Sequence, residues 1–370
     1  MLALQGISQI LFSLVLAAGP GPGGAAKGGE SDLERGEKLF KAGDLAGALQ
    51  AFDSAGKADP KDARAPYLRG VVLEKKSDGA GAEKAYREAL ARDARFAPAH
   101  NNLGAILLGR NDLAAAEKEL LAANASDPRN ASAAFNLGLL REAQKQPREA
   151  AAAYRKSLQL NPNDGTCHAN LCSVLRKNGD LDGAVAECRQ AVRLMPDNVV
   201  TLTNLGLLLS DKKQLDEARA QLHLATQKDP KFAPAWTGLG RVELKRKQVA
   251  EAVDALGKAA KLDAKDGAVA ADYCRALVEK DMGAKTAESE CRRAIALDSQ
   301  NALAHYELVK VLVARGDCAG AKSEVAKLGT IDSAKGKAKD KAEEILKTCV
   351  PGKIAKPSAD VKGGERQKKN

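Results

Sequence analysis

The side chains best suited to chemistry in this chain of 370 residues are seven cysteines. A cysteine pair can form a disulfide, thiolates can bind a metal ion, and a single thiol can fill a small apolar space. Cys167, His168 and Cys172 lie close in sequence, but the five-residue step between the two cysteines turns them to different helix faces, which disfavours zinc. The other five cysteines are Cys188, Cys274, Cys291, Cys318 and Cys349.

The sequence shows none of the common catalytic motifs. It has no glycine-rich phosphate loop before a helix, no G-x-S-x-G and no H-E-x-x-H. His100, His168 and His305 recur at equivalent places along the chain, which indicates packed side chains rather than general bases. We therefore expect no enzyme activity, no cofactor and no bound metal.

A strict period of 34 residues must position all of these side chains, and it shows in two columns, that is, two sets of residues spaced 34 apart. One column consists of alanines: it begins at Ala48 and reaches Ala321, with one residue inserted before Ala287. A period of this length means that one supersecondary unit is stacked many times, which offers a long surface rather than a deep pocket. The other column, which we call the small column, consists of Gly36, Gly70, Gly104, Gly138, Cys172, Gly206, Gly240 and Cys274.

Each unit is predicted to be a pair of helices. In the copy 97–130, apolar residues three and four apart give the period of an amphipathic helix on both sides of a break at Asn111. Pro128 ends the copy because its ring cannot continue a helix. We expect Gly104 to face Ala116 and Ala123, so that the two backbones approach closely.

Gly104, Ala116, Leu120, Ala123 and Pro128 at these intervals resemble the tetratricopeptide repeat. The resemblance implies an all-α, right-handed α-solenoid, a superhelix of antiparallel helix pairs, and a family that usually binds other proteins. A cap helix is expected at 336–350 after the last copy. The nine copies, together residues 29–335, are 29–62, 63–96, 97–130, 131–164, 165–198, 199–232, 233–266, 267–301 and 302–335.

The resemblance also implies disulfides. Tyr86 and Tyr154 occupy the aromatic column of the family. Cys172 and Cys274 replace the small column in copies five and eight, and Cys188 and Cys291 replace the aromatic column of the same copies. In this fold those columns face each other across a helix pair, and Cys318 and Cys349 are placed at helix ends that should meet. Three bridges, with Cys167 left over, favour an oxidising compartment over small apolar fillers in a reduced core.

One column of the first helices holds asparagine in copies three to six, at Asn102, Asn136, Asn170 and Asn204. An asparagine amide can pair with both the N–H and the C=O of an extended peptide. A similar ladder lines the repeats of the nucleocytoplasmic O-linked N-acetylglucosamine transferase. The alternative is that these amides bond within the stack, and the sequence leaves both open.

Neighbouring columns predict which side chains would contact the side chains of a ligand. Phe135, Leu139 and Leu207 form a mild apolar floor, and Arg241, Arg275 and Lys310 form a basic strip in the last copies. An extended ligand that is apolar and then acidic would match this groove. The alternative for the strip is ordinary solvated charge.

Both chain ends differ from the repeats. Residues 1–18 resemble a secretory signal peptide with an apolar run at 7–18, followed by a Gly/Pro/Ala-rich linker at 19–28; an uncleaved anchor and an internal apolar segment stay open. The segment 351–370 is basic and predicted to be disordered, with weak contact to an anionic envelope surface. Specific nucleic-acid binding is not expected, because aromatics are only 3% of residues in a chain of net charge +10.

The sequence therefore predicts an exported binding scaffold, periplasmic or attached to the cell envelope, that holds an extended partner protein during assembly of a pilus, secretion or motility complex. Two alternatives stay open: a cytoplasmic co-chaperone or regulatory adaptor, and an accessory subunit of a separate transferase. The identity of the partner and the oligomeric state do not follow from the sequence.

Overall fold

The computed structural model describes residues 30–331 and 337–352, so the predicted signal peptide, the linker and the tail beyond residue 352 lie outside the described residues. The described residues form nineteen α-helices and no strand. They separate into two compact units, divided between Asp180 and Leu181. Consecutive helices pair within each unit, so local helix formation and nearest-neighbour packing build both of them.

Unit one covers residues 30–180. Its helices are α1 (Asp32–Lys41), α2 (Leu45–Ala58), α3 (Arg64–Lys75), α4 (Gly79–Arg92), α5 (Ala97–Gly109), α6 (Leu113–Ser126), α7 (Ala131–Ala143), α8 (Pro147–Leu160) and α9 (Gly165–Lys177).

Unit two covers the described residues from Leu181 onward. Its helices are α10 (Leu181–Leu194), α11 (Val199–Asp211), α12 (Leu215–Lys228), α13 (Ala233–Lys245), α14 (Val249–Leu262), α15 (Gly267–Lys280), α16 (Lys285–Leu297), α17 (Ala302–Ala314), α18 (Cys318–Leu328) and α19 (Lys337–Lys347). The last helix packs on α17 and α18, where it buries Ala342 completely.

In eight of the nine described helix pairs, the turn inside the pair uses one left-handed residue at a fixed place in the repeat. This residue is a glycine in some copies, such as Gly43 and Gly179, and a larger residue in others, such as Lys145 with φ 59°. Where the following residue is an aspartate such as Asp44, its side chain caps the second helix: Asp44 accepts a hydrogen bond from the Gly47 amide at 2.8 Å. In copy eight the turn follows a longer first helix, α15, and Asp281 there has φ −155°. The inserted residue is therefore absorbed at this turn.

The small column makes room for the column sixteen residues later, which corrects the expectation that Gly104 faces two alanines. A Cβ built on Gly104 would lie 2.7 Å from Cγ of Leu120, and one on Gly138 would lie 2.4 Å from the Tyr154 ring. Gly206 and Gly240 stand in the same relation to Leu222 and Leu256. Glycine is needed here because a large side chain of the second helix fills the space where a Cβ would be.

None of the helices that the structure describes is both long enough and apolar enough to cross a membrane.

Candidate protein-binding surface

Within each unit, the first helices of successive pairs form one surface because they contact one another directly, as α5 does with α7 and α13 with α15. We call its positions the inner columns and define them by Phe135, Asn136, Leu139 and Glu142 of α7 and their equivalents one repeat away. Every peptide-binding residue that the sequence predicts lies on these helices.

In unit one, asparagines of the inner columns bond to one another instead of projecting freely. The Asn136 amide nitrogen donates to Oδ1 of Asn101 at 2.9 Å, and the Asn101 amide donates to Oδ1 of Asn102 at 3.1 Å. Asn102 in turn donates to the Tyr86 hydroxyl at 3.2 Å. All three asparagines are buried. Peptide binding by Asn102 and Asn136 stays a prediction, and it would require their amides to leave these bonds.

This chain of hydrogen bonds reaches Tyr86, which lies beside a carboxyl group, Glu74. Tyr86 and Glu74 are close enough to shift each other's pKa, and Tyr67 packs beside Tyr86 with ring centroids 5.7 Å apart. Burial raises the pKa of the Glu74 carboxyl to about 7, and the neighbouring Tyr86 opposes this only in part. Burial, with the Glu74 charge as the second cause, also raises the pKa of Tyr86 well above its ordinary value.

Two repeats further along, an equivalent cluster forms around Glu142. The Tyr154 hydroxyl donates to Oε2 of Glu142 at 2.8 Å, and Lys177 lies 3.0 Å from Oε1. Asn170 hydrogen-bonds to Tyr154, as Asn102 does to Tyr86. Asn170 and Asn204 are only half-buried, so they are the ladder members with exposed surface.

The apolar residues predicted for the groove are not equally accessible. Phe135 is only 4% exposed and packs on Tyr154, with ring centroids 5.6 Å apart. Leu139 in unit one and Leu207 in unit two are half-buried, so each keeps some apolar surface free. Phe135 therefore packs within the stack, and ligand contact by the two leucines stays a prediction.

The basic strip in unit two is accompanied by an equal number of carboxylates. Arg241 donates to Asp272 at 2.6 Å. Arg275 lies 3.2 Å from Glu279, and Lys310 lies 2.7 Å from Glu307. Asp272 and Glu307 occupy the asparagine column, and burial raises the pKa of both carboxyls. The strip is thus a mixed-charge surface, which corrects its description as basic and removes the reason for expecting an acidic ligand.

Three histidines on first helices form hydrogen bonds to the turn that precedes their own helix. His100, His168 and His305 each place Nε2 3.0–3.2 Å from the carbonyl oxygen six residues earlier, and Trp236 donates in the same way to Pro230 at 2.9 Å. Nδ1 of His305 also lies 2.6 Å from Glu324, and both side chains are buried. This column packs and hydrogen-bonds within the repeat.

Two of the predicted cysteine pairs lie at bonding distance in unit two. The sulfurs of Cys274 and Cys291 are 2.03 Å apart, and those of Cys318 and Cys349 are 2.06 Å apart. Cys172 belongs to unit one and Cys188 to unit two, so their pairing stays a prediction. Cys167 is buried, and its thiol donates to the carbonyl oxygen of Tyr154 at 3.5 Å.

Models of a known protein family match this repeat. Family models described as tetratricopeptide repeat match residues 33–100, 76–131, 131–164 and 175–242, which together exceed half of the chain. The chain is a tetratricopeptide repeat protein. Its described part has the all-α helix-pair architecture that the 34-residue period predicts. No curated protein matches this tetratricopeptide repeat protein in sequence.

Solved structures share the fold. PilF from Pseudomonas aeruginosa is 24% identical with a TM-score of 0.51, over 55% of this chain and 93% of that chain. A chain of the APC/C hetero-tetramer Cut9–Hcn1 is 18% identical with a TM-score of 0.52, over 76% of this tetratricopeptide repeat protein and 55% of that chain. At these identities the similarity concerns the fold alone. Interaction with other proteins is the function typical of the family.

Sequence reasoning missed the carboxyl groups at the centre of the two polar clusters. Glu74 and Glu142 are separated by two full periods, and each precedes a tyrosine by twelve residues. This recurrence was visible in the sequence, but a glutamate on a helix usually reads as a solvated charge. Only the contacts with Tyr86 and Tyr154 show that these two are part of the packed inner surface.

Proposed function

We propose that this protein is a non-catalytic scaffold that binds an extended segment of a partner protein along its inner columns. The observation that carries the proposal is the register of the first helices, which brings the inner columns of unit one onto one surface, where half-buried groups such as Glu74, Leu139 and Asn170 lie in copies two, four and five. An extended peptide needs such a row of separate anchors because it has no compact face of its own. Leu139 supplies apolar contact, and the exposed part of Asn170 supplies polar contact.

We also propose that the scaffold works outside the cytoplasm, in a complex of the cell envelope. The cysteine pairs of unit two support this, because an oxidising compartment is where such pairs persist as disulfides. The secretory pattern at 1–18 points the same way. The pairs at 274/291 and 318/349 would then fix the end of the stack where the last helix docks.

Site-specific photo-cross-linking in the source organism tests the binding surface. The full-length protein is made with p-benzoylphenylalanine in place of Leu139 on α7, and separately in place of Leu121 on α6, which is 46% exposed. We expect a discrete adduct with a partner protein from position 139 and none from position 121. Equal labelling at both positions, or none at position 139, would contradict binding at the inner columns.

Fractionation and mass spectrometry test the compartment separately. Protein from the native source should be found outside the cytoplasm and without residues 1–18, and its cysteine peptides should resist alkylation until a reductant is added. Recovery of a chain that retains residues 1–18 and has alkylatable Cys274 and Cys318 in the cytoplasmic fraction would overturn the exported assignment.

A further inference from the structure

Glu142 shows how this repeat neutralises a carboxyl group on its inner surface. The carboxylate accepts a hydrogen bond from Tyr154, and it forms an ion pair with Lys177 at 3.0 Å. Lys177 is 35 residues later, at the last position of the next first helix, α9. The cation therefore comes from a fixed place in the following repeat.

Unit two repeats this arrangement with a hydroxyl in place of the carboxylate. Ser210 occupies the position of Glu142 on α11, and Lys245, again 35 residues later, donates to its Oγ at 2.8 Å. Lys245 is the last residue of α13. Two independent cases in two units thus show that the last residue of one first helix reaches the polar side chain of the helix before it.

Glu74 occupies the same position in copy two, but the residue 35 places later is Gly109, the last residue of α5. A Cβ built on Gly109 would meet no atom within 4 Å, so the space directly over this glycine, where the Lys177 side chain begins in the other cluster, is open. The adjacent cation, Arg110, is already engaged by Glu83 and by the carbonyl oxygen of Gly79. Among the residues that the structure describes, no cation forms an ion pair with Glu74.

The groups around Glu74 are suited to receive a cation from outside the chain. The side chain keeps part of its surface exposed, whereas Tyr67 and Tyr86 are buried against it. A half-buried carboxylate pairs with a cation more strongly than a carboxylate in water. The titratable and polar groups facing it are Tyr67 of α3, Tyr86 of α4 and, through Tyr86, Asn102 of α5.

We propose that Glu74 and the open space over Gly109 bind a lysine or arginine side chain of the partner protein, which takes the place that Lys177 has beside Glu142. This inference rests on the proposed function and adds to it the chemistry of one anchor. The partner contributes a positively charged residue to unit one, and the recognition depends on a glycine where another repeat of this chain carries a lysine.

Two reciprocal variants test the geometry. Gly109→Lys should supply the missing cation internally and lower the pKa of the Glu74 carboxyl by about one, as read from the carboxyl carbon by NMR on glutamate-labelled protein. Lys177→Gly should open an equivalent space beside Glu142. An unchanged pKa of Glu74 in Gly109→Lys would show that the two positions do not meet and would overturn the proposal.

Binding of an external cation is tested with n-butylammonium and methylguanidinium chloride, which carry the head groups of lysine and arginine. At equal ionic strength, either salt should shift the Glu74 carboxyl resonance and lower its pKa relative to potassium chloride. Gly109→Lys should abolish this response, and Lys177→Gly should create one at Glu142. A response identical to that of potassium chloride would overturn the site.

A last experiment distinguishes failure of the cation site from failure of the proposed scaffold function. Glu74→Gln is combined with the photo-cross-linker at position 139. Loss of most of the adduct is expected if a partner cation pairs with Glu74. Full retention of the adduct would leave the scaffold function standing and refute the cation site, whereas absence of the adduct already with native Glu74 would refute the scaffold function.

Discussion

The Tyr154 ring lies where a side chain on Gly138 would have to be, with Cε1 only 2.4 Å from the position of an ideal Cβ. Tyr154 is fully buried and donates its hydroxyl to Glu142 at 2.8 Å. The glycine on one helix and the aromatic ring on its partner are therefore a single packing unit. Cys274 and Cys291 hold the corresponding two places in copy eight, so a sulfur pair there replaces the ring.

Replacing Gly138 by alanine should destabilise unit one by about 3 kcal/mol, because the added methyl group overlaps a buried ring that cannot move without breaking its hydrogen bond. Urea denaturation followed by circular dichroism measures this change in the free energy of unfolding. Gly109→Ala is the matched control, since a Cβ there meets nothing within 4 Å. A similar loss in both variants would contradict the packing explanation.

The stability of the protein should depend on pH through Glu74. Its folded-state pKa is raised from 4.5 to about 7, so the folded chain binds a proton more tightly than the unfolded chain between these values. This contribution is fully present below pH 4.5 and is lost as the pH rises through 7. Relative to Glu74→Gln, the free energy of unfolding of the native protein should fall by on the order of 3 kcal/mol across this window. Parallel pH profiles for the two proteins would exclude this origin.

Asn136→Ala should cost about 1–2 kcal/mol, because it leaves the buried Oδ1 of Asn101 without its donor. Asn204→Ala is the comparison: this ladder member is half-buried, and the described residues provide it with no hydrogen-bond partner. We expect its removal to change stability by less than about 0.5 kcal/mol. Thermal unfolding of the two variants checks the difference, and equal effects would refute a structural role for the Asn136 amide.

If the two cysteine pairs of unit two are disulfides, a dithiol reductant should open them in a fixed order. Cys318 and Cys349 are partly exposed, whereas Cys274 and Cys291 are fully buried. Limited reduction of the folded protein, alkylation and peptide mass spectrometry should label the 318/349 pair first. Each bridge closes a loop of 17 or 31 residues and should contribute about 3–4 kcal/mol. Labelling of Cys274 before Cys318 would contradict the prediction.

Much of the fold could be predicted because the repeat encodes it locally. The 34-residue spacing of Gly104 and Gly138, the stop at Pro128 and the caps such as Asp44 each specify a helix end or a close contact between neighbours in sequence. Nearest-neighbour stacking then requires few long-range contacts to be known. The asparagine column also marked the first helices, which carry the proposed binding surface.

The assignment of side chains to that surface was decided only by the tertiary structure. Asn102 and Asn136 are the same residue type as Asn204, yet the first two are bonded inside the stack. Arg241 was expected to be part of a basic strip, but its charge is matched by Asp272 from the next repeat. Burial, hydrogen bonding and ion pairing depend on which groups meet across adjacent repeats. A single column of the sequence gives the face of a helix, but not the partner that faces it.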